Sequence, residues 1–199
     1  MHNATSVTNN PLFFLMIFSS SAETIPYEKL VGVWTLSQDG VNHNLTKAQV
    51  SELCGMSLCI IHPDRKVGIH IRLKHEGKLM MSMDVLSKNP CTYADNQLSC
   101  EMETTSFGKS LGVSPGFFRF SKVWKGVYDA TTLKPDGKTV DTVQTMYPCS
   151  MTISEAQAWL EANSGTGEIG EKISDAFDLL EKTDLPINQK VEALQQKAE

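Results

Sequence analysis

The stretch V-G-I-H-I-R-L-K-H-E-G-K-L-M-M-S-M-D-V, residues 67–85, decides the fold. In its first half Val67, Ile69, Ile71 and Leu73 alternate with Gly68, His70, Arg72 and Lys74. A period of two sends successive side chains to opposite faces of a sheet. The second half alternates too, with Leu79, Met81, Met83 and Val85 on one face and Ser82 and Asp84 on the other. The connection sets the register. A two-residue loop at Glu76-Gly77 places Leu73 opposite Met80 and Ile71 opposite Ser82, apolar against polar. A three-residue loop, His75-Glu76-Gly77, places Leu73 opposite Leu79, Ile71 opposite Met81, Ile69 opposite Met83 and Val67 opposite Val85. A one-residue slip turns every side chain to the wrong face, and Gly77 accepts the left-handed conformation on which such a loop ends. The three-residue register is therefore the expectation. His70, Arg72, Lys74 and Lys78 then form a basic strip on the outer, solvated face.

A second hairpin follows in C-T-Y-A-D-N-Q-L-S-C, residues 91–100. Asp95 and Asn96 both tolerate positive φ and make a two-residue turn. The pairs are then Ala94–Gln97, Tyr93–Leu98, Thr92–Ser99 and Cys91–Cys100. Counted out from the turn, the two cysteines face each other at a non-hydrogen-bonded site, where Cα atoms approach to about 4.5 Å. A disulfide tolerates that distance. Of the three remaining cysteines, Cys54 and Cys59 are close enough in sequence to form a second bond, which leaves Cys149 over. The C-x4-C and C-x8-C intervals are not zinc spacings, and no His stands at ligand spacing from them.

The flanking chain reads as more strands. Residues 30–36 and 56–62 suit strands, with a short helix over 44–50 between them that Thr46 and Gln49 cap. Residues 117–128, F-F-R-F-S-K-V-W-K-G-V-Y, fit either period; β-propensity and Gly126 favour a strand. Pro135-Asp136-Gly137 joins strands over 127–134 and 138–147. Gly112-Val113-Ser114-Pro115-Gly116 matches the G-x-S-x-G pattern of a serine-hydrolase elbow, but that elbow needs a backbone N–H after the Ser and a helix beyond it. Pro115 has no N–H, so a turn is the reading. After Cys149 the period becomes helical. Thr152 or Ser154 caps a helix over 155–162, Ser154 with Gln157 as a capping box. Amphipathic stripes follow at Ile169, Ile173, Phe177 and Leu180, and at Ile187, Val191 and Leu194. Residues 168–199 hold eight acids and four lysines.

Residues 1–22 read as an export signal: an apolar run from Leu12 to Phe18, then Ser20-x-Ala22 where a small-residue cleavage site stands. The expected division is 1–22 signal peptide, 23–151 antiparallel β-barrel domain and 152–199 C-terminal helices, in a secreted or periplasmic protein. The formal net charge of −5 argues against a nucleic-acid partner. No apolar run reaches the ~18 residues of a membrane span.

Gly32-Val33-Trp34 lies in the first strand after the signal, followed by antiparallel hairpins and a terminal helix. This pattern resembles the lipocalin and wider calycin families, closed barrels that hold small apolar ligands. The resemblance implies that Trp34 seals the closed end of a barrel. Cys54-Gly55-x-x-Leu58-Cys59 also looks like an element of a family of small secreted bacterial proteins of unknown function, and Trp124-x-Gly126-x-Tyr128-Asp129 echoes the same family.

The fold class expected is mainly β: a lipocalin-like antiparallel barrel or strongly curled sheet with a helical tail. The inward face should carry Val67, Ile69, Ile71, Leu73, Leu79, Met81, Met83, Val85, Leu98 and Met102. The candidate ligand wall is Ile69, Ile71, Met81, Met83, Met102, Phe118, Phe120 and Trp124, with Trp34, Cys91 and Cys100 structural. The lack of charge on that face points to a small apolar ligand, lipid-like or pigment-like. The second reading is a protein-interaction module acting through the acidic helices of 168–199. An enzyme ranks behind both, because His43, His62, His70 and His75 are scattered and no set of acid, base and nucleophile emerges. No cofactor is expected.

Overall fold

The computed structural model describes residues 23–124 and 126–164; the expected signal peptide and the helices of 168–199 lie outside the described residues. A single 3-10 turn, Tyr27–Lys29, leads into β1 (Gly32–Leu36), α1 (Lys47–Cys54) and β2 (Ser57–Ile61). Then come β3 (Val67–His75), β4 (Lys78–Ser87), β5 (Thr92–Ala94), β6 (Gln97–Ser106) and β7 (Lys109–Trp124). The order finishes with β8 (Val127–Leu133), β9 (Val140–Pro148) and α2 (Ile153–Ala162). Every strand pair is antiparallel. Following the pairings gives β1-β2-β3-β4-β6-β7-β8-β9 and back to β1, a closed eight-stranded meander. The short β5 pairs with the first half of β6, and β4 pairs with the second half. Closure removes the unpaired edges that make open sheets prone to association.

The β3–β4 hairpin keeps the expected faces for all of its alternating apolar residues except Leu79, but reaches them by another register. His75 pairs with Lys78, so the turn is the two-residue Glu76-Gly77, with φ of 49° and 78°. That turn alone would oppose apolar to polar. A bulge at Met80 restores the parity: Lys74 pairs with Leu79, then Leu73 with Met81, Ile71 with Met83 and Ile69 with Val85. Leu79 therefore joins Lys74 on the outer face, not the inner one.

The hairpin over β5 and β6 matches its sequence reading, with Asp95 and Asn96 at φ of 51° and 59° and the pairs Ala94–Gln97, Tyr93–Leu98 and Thr92–Ser99. Cys91 and Cys100 are bonded, with a Cα–Cα distance of 4.6 Å.

Three other expectations change. The segment before Phe117 is not a flexible turn but the first half of β7, entered through a Phe107-Gly108 turn. Pro115 sits opposite Glu101. Lys88 N donates to Glu101 O, so the Glu101 backbone faces β4 and the Glu101–Pro115 pair is a non-hydrogen-bonded one. The imide nitrogen then points to the side where β8 pairs only from Phe117 onward, and no ladder bond is lost. Of the two candidate caps of α2 it is Thr152 that caps, and the capping box is Thr152 with Glu155, two residues earlier than Ser154 with Gln157. Helix α1 has the Thr46–Gln49 box the sequence indicates.

The second disulfide joins Cys54 to Cys149, not to Cys59. Cys54 ends α1 on the outside of the barrel, where Val33, Leu58, Ile60 and Ala156 pack with it. Cys59 lies on β2 with the opposite orientation and is the free, buried cysteine among the described residues. Strands β1 and β2 are thus buried on both sides, by the barrel interior and by the two helices.

Inside the barrel, Gly116 lies where β6 and β7 meet. A Cβ there would stand 2.5 Å from Met102 Cγ, and Met102 is buried. Gly116→Ala should cost about 1–3 kcal/mol by overpacking. Urea unfolding measures this; a loss below a few tenths would mean that Met102 moves aside freely.

Candidate functional site

The barrel is packed at one end and hollow at the other. The packed end is built from the N-terminal segment and the first turn of the barrel. Trp34 is buried, its Nε1 donates to Leu30 O at 2.8 Å, and its ring meets Tyr128 edge-on at 5.6 Å. Ile25 N donates to Asn96 Oδ1 at 2.7 Å, and the Asn96 amide donates to Glu23 O at 2.9 Å. Tyr93 donates to Ile25 O at 2.7 Å and Tyr27 to His62 O at 2.6 Å. These bonds tie residues 23–30 to β5, to the β5–β6 turn and to the residue that follows β2, so Ile25 and Leu30 join the core below Trp34.

Above this plug lies a cavity of about 450 Å³. All eight barrel strands contribute to its wall, which places it inside the barrel. Cys59, Ile61, Val67, Leu98, Phe120 and Met146 belong both to the packed core and to the cavity, and form its floor. Leu73 and Met81, beside the β3–β4 turn, stand at the other end, and Met81 is 42% exposed.

Among the described residues no Asp, Glu, Lys, Arg or His lines the cavity. The one titratable group among them is the Cys59 thiol, which burial pushes up to about 12. The thiol is therefore protonated near neutrality, and the described lining carries no charge.

Of the candidate wall residues, Ile69, Ile71, Met81, Phe118 and Phe120 line this cavity together. Met102 is buried in the packed core instead. Met83 shares the inner face with Ile71 but lies outside the lining. Trp124 is 64% exposed on a different feature, an outer groove of about 580 Å³ that it shares with Val50, Tyr147, Met151 and Trp159. The bulge between Lys122 and Trp124 breaks the alternation that would have kept Trp124 in line with Phe118 and Phe120. Sequence reasoning missed Gln38, Ser57, Thr132 and Gln144, all four of which line the cavity. Polar residues on a strand read as outward, and only the closed register shows that these point in.

The outer face of β3 and β4 corrects another expectation. His70 and Arg72 are not a solvated strip; they are 8% and 5% exposed. His70 Nδ1 lies 2.7 Å from Asp84 Oδ1, and Arg72 Nη2 lies 2.8 Å from the same oxygen. Burial raises the Asp84 carboxyl, but the hydrogen bond to His70 and the charge and hydrogen bond of Arg72 outweigh it. The Asp84 pKa lies below the ordinary carboxylate value. Among the described residues no three His, Cys, Asp or Glu side chains gather to hold a metal ion, and no helix is long and apolar enough to cross a membrane.

No protein-family model matches the chain, and neither the curated proteins nor the solved structures give a significant match. The site has to be read from its own geometry.

Proposed function

We propose that this protein is a lipocalin-like binding protein for a small apolar ligand held inside its barrel. One observation carries the reading: an uncharged, largely apolar hollow of about 450 Å³ that opens at the end opposite the Trp34 plug. That volume falls in the ~300–1,000 Å³ range of small-molecule pockets. An apolar guest would recover, against Ile69, Ile71, Met81, Phe118 and Phe120, the contacts the packed end already has. The two disulfides fit an oxidising compartment, so the ligand would be met in a secreted or periplasmic setting. The alternative, a protein partner bound by the acidic segment 168–199, concerns residues outside the described ones and has no structural observation behind it.

Ala130 on β8 and Ile71 on β3 line the cavity from opposite sides of the ring. Either Ala130→Trp or Ile71→Trp should fill it. With N-phenyl-1-naphthylamine, an uncharged fluorophore, the expected result is saturable binding to the wild type and affinity at least about tenfold weaker in both variants, with unchanged circular dichroism. Equal binding by folded variants would sink the reading. So would the absence of any bound small molecule in solvent extracts of protein from its natural source.

A further inference from the structure

We infer that the ligand is a neutral amphiphile: an apolar body carrying one uncharged hydrogen-bonding group. The inference rests on the binding-protein reading above and narrows it.

The cavity wall has two unlike halves. Its polar members are Gln38, Ser57, Thr132 and Gln144. Ser57 is on β2, Gln38 follows β1, Gln144 is on β9 and Thr132 is on β8. Strands β2, β1, β9 and β8 are consecutive neighbours in the barrel, so the four side chains form one arc. Ser37 N donates to Thr145 O at 2.9 Å, which continues the β1–β9 ladder and brings Gln38 level with Gln144. Gln144 also donates from Nε2 to Ser37 O at 2.6 Å, which fixes its amide. On the other half, β3, β4 and β7 supply Ile69, Ile71, Leu73, Met81 and Phe118, with no polar side chain. The polar arc lies above the floor, since Gln144 on β9 and Thr132 on β8 stand nearer the open end than the paired Met146 and Tyr128 of the packed end.

Such a wall selects by charge. The Gln38 amide, the Thr132 hydroxyl and the Gln144 Oε1 can hydrogen-bond an alcohol, an ester or an amide, while Ser57 Oγ is 3.1 Å from Thr35 Oγ1 and Gln144 Nε2 is held by Ser37 O. They cannot neutralise a carboxylate or an ammonium group, and an unpaired ion taken out of water is strongly disfavoured. A fatty acid anion or a cationic lipid seated with its head on this arc would bring such an ion among described residues that offer no counter-charge. A monoacylglycerol or long-chain alcohol would not. The tail would run from the polar arc down to the floor at Ile61 and Phe120.

Displacement of bound N-phenyl-1-naphthylamine from the full chain at pH 7 tests this, with three twelve-carbon competitors kept below their aggregation concentrations. These are 1-monolauroylglycerol, laurate and dodecyltrimethylammonium. The neutral glyceride should compete at least about tenfold better than either ion. Its affinity should not change between pH 6 and 9, because the one titratable group among the described lining residues, Cys59, stands at about 12. Thr132→Val and Gln38→Met should each shrink the preference for the glyceride over laurate at least about threefold, read as the ratio of the two competition constants within the same variant. If laurate competes as well as the glyceride at pH 7, the inference is overturned while the binding-protein reading stands. If the fluorophore does not bind the wild type at all, both fail together.

Discussion

Replacing Asp84 by alanine should remove about 3–5 kcal/mol from the free energy of unfolding at pH 7. The size follows from what the substitution leaves behind. Arg72 is 5% exposed, and its guanidinium is held by Asp84 at 2.8 and 3.1 Å and by the carbonyls of Ile71 and Met83 at 3.0 and 3.2 Å. Its buried Nε has no hydrogen-bond partner among the described residues. Without the carboxylate a buried cation keeps only two carbonyls. His70, 2.7 Å from the same carboxylate, loses its partner too. Removing both charges in an Asp84→Leu/Arg72→Met double variant should cost much less than Asp84→Ala alone, because a buried ion pair replaced by apolar groups is close to neutral. The pH dependence gives a second reading of the same cluster. The Asp84 pKa is lowered in the folded chain, so its contribution is present above the unfolded carboxyl value of about 3.9 and is lost as pH falls through the folded value. The stability gap between wild type and Asp84→Ala in urea should therefore close in acid. A gap that persists undiminished at pH 2 would show that the loss comes from packing and not from charge.

This cluster shows why part of the site could not be read from the sequence. The alternation in residues 67–85 tells which apolar side chains share a face, and that expectation survives for all but Leu79, which the bulge turns outward. Parity can be met in two ways, however: a three-residue loop, or a two-residue turn with a bulge. Both put Ile69, Ile71 and Leu73 opposite apolar partners. They differ by two residues along the strand, and only the second sets His70 against Asp84. The first sets Asp84 against Gly68, and the ion cluster disappears from view. The hollow has a similar history. Three of its walls, Ile69, Ile71 and Met81, follow from period two, and Phe118 and Phe120 from β-propensity and Gly126, which favour a strand where the period is ambiguous. Ser57 precedes Cys59 and Ile61 at the same spacing, so its inward direction was available in principle. It was hidden by the expectation that a Ser on a strand faces water. Gly112 to Gly116 misled in the opposite direction, since Gly and Pro normally break strands. Here Pro115 points its nitrogen to a side where no partner strand pairs, a fact of topology that local sequence does not contain.

Disulfide connectivity is not deducible from spacing, and its correction leads to the second large effect. The bonds join residues 95 and 9 positions apart. In the chain-entropy picture, loops of those lengths confer about 4.7 and about 2.6 kcal/mol. Cys54→Ser/Cys149→Ser should therefore lower Tm by roughly 10–18 °C and Cys91→Ser/Cys100→Ser by roughly half as much, at about 2–4 °C per kcal/mol for a chain of this size. The long-range bond also has a local task. It joins the end of α1 to the end of β9, and Val33, Leu58, Ile60 and Ala156 pack around it. Cutting it frees the helical layer that covers β1 and β2, while the barrel ladder itself stays paired. Cys59 supplies the probe for this, since it lies on the inner side of β2 and its thiol is pushed up to about 12 by burial. Iodoacetamide at pH 8 should leave Cys59 unlabelled in the wild type and label it measurably faster in Cys54→Ser/Cys149→Ser, because barrel opening then starts from a weakened β1–β2 wall. Thermal melts that reverse the order of the two double variants would refute the loop-length argument. Labelling of Cys59 that is unchanged despite the lower Tm would show that the helices, not the barrel wall, are what the long-range bond protects.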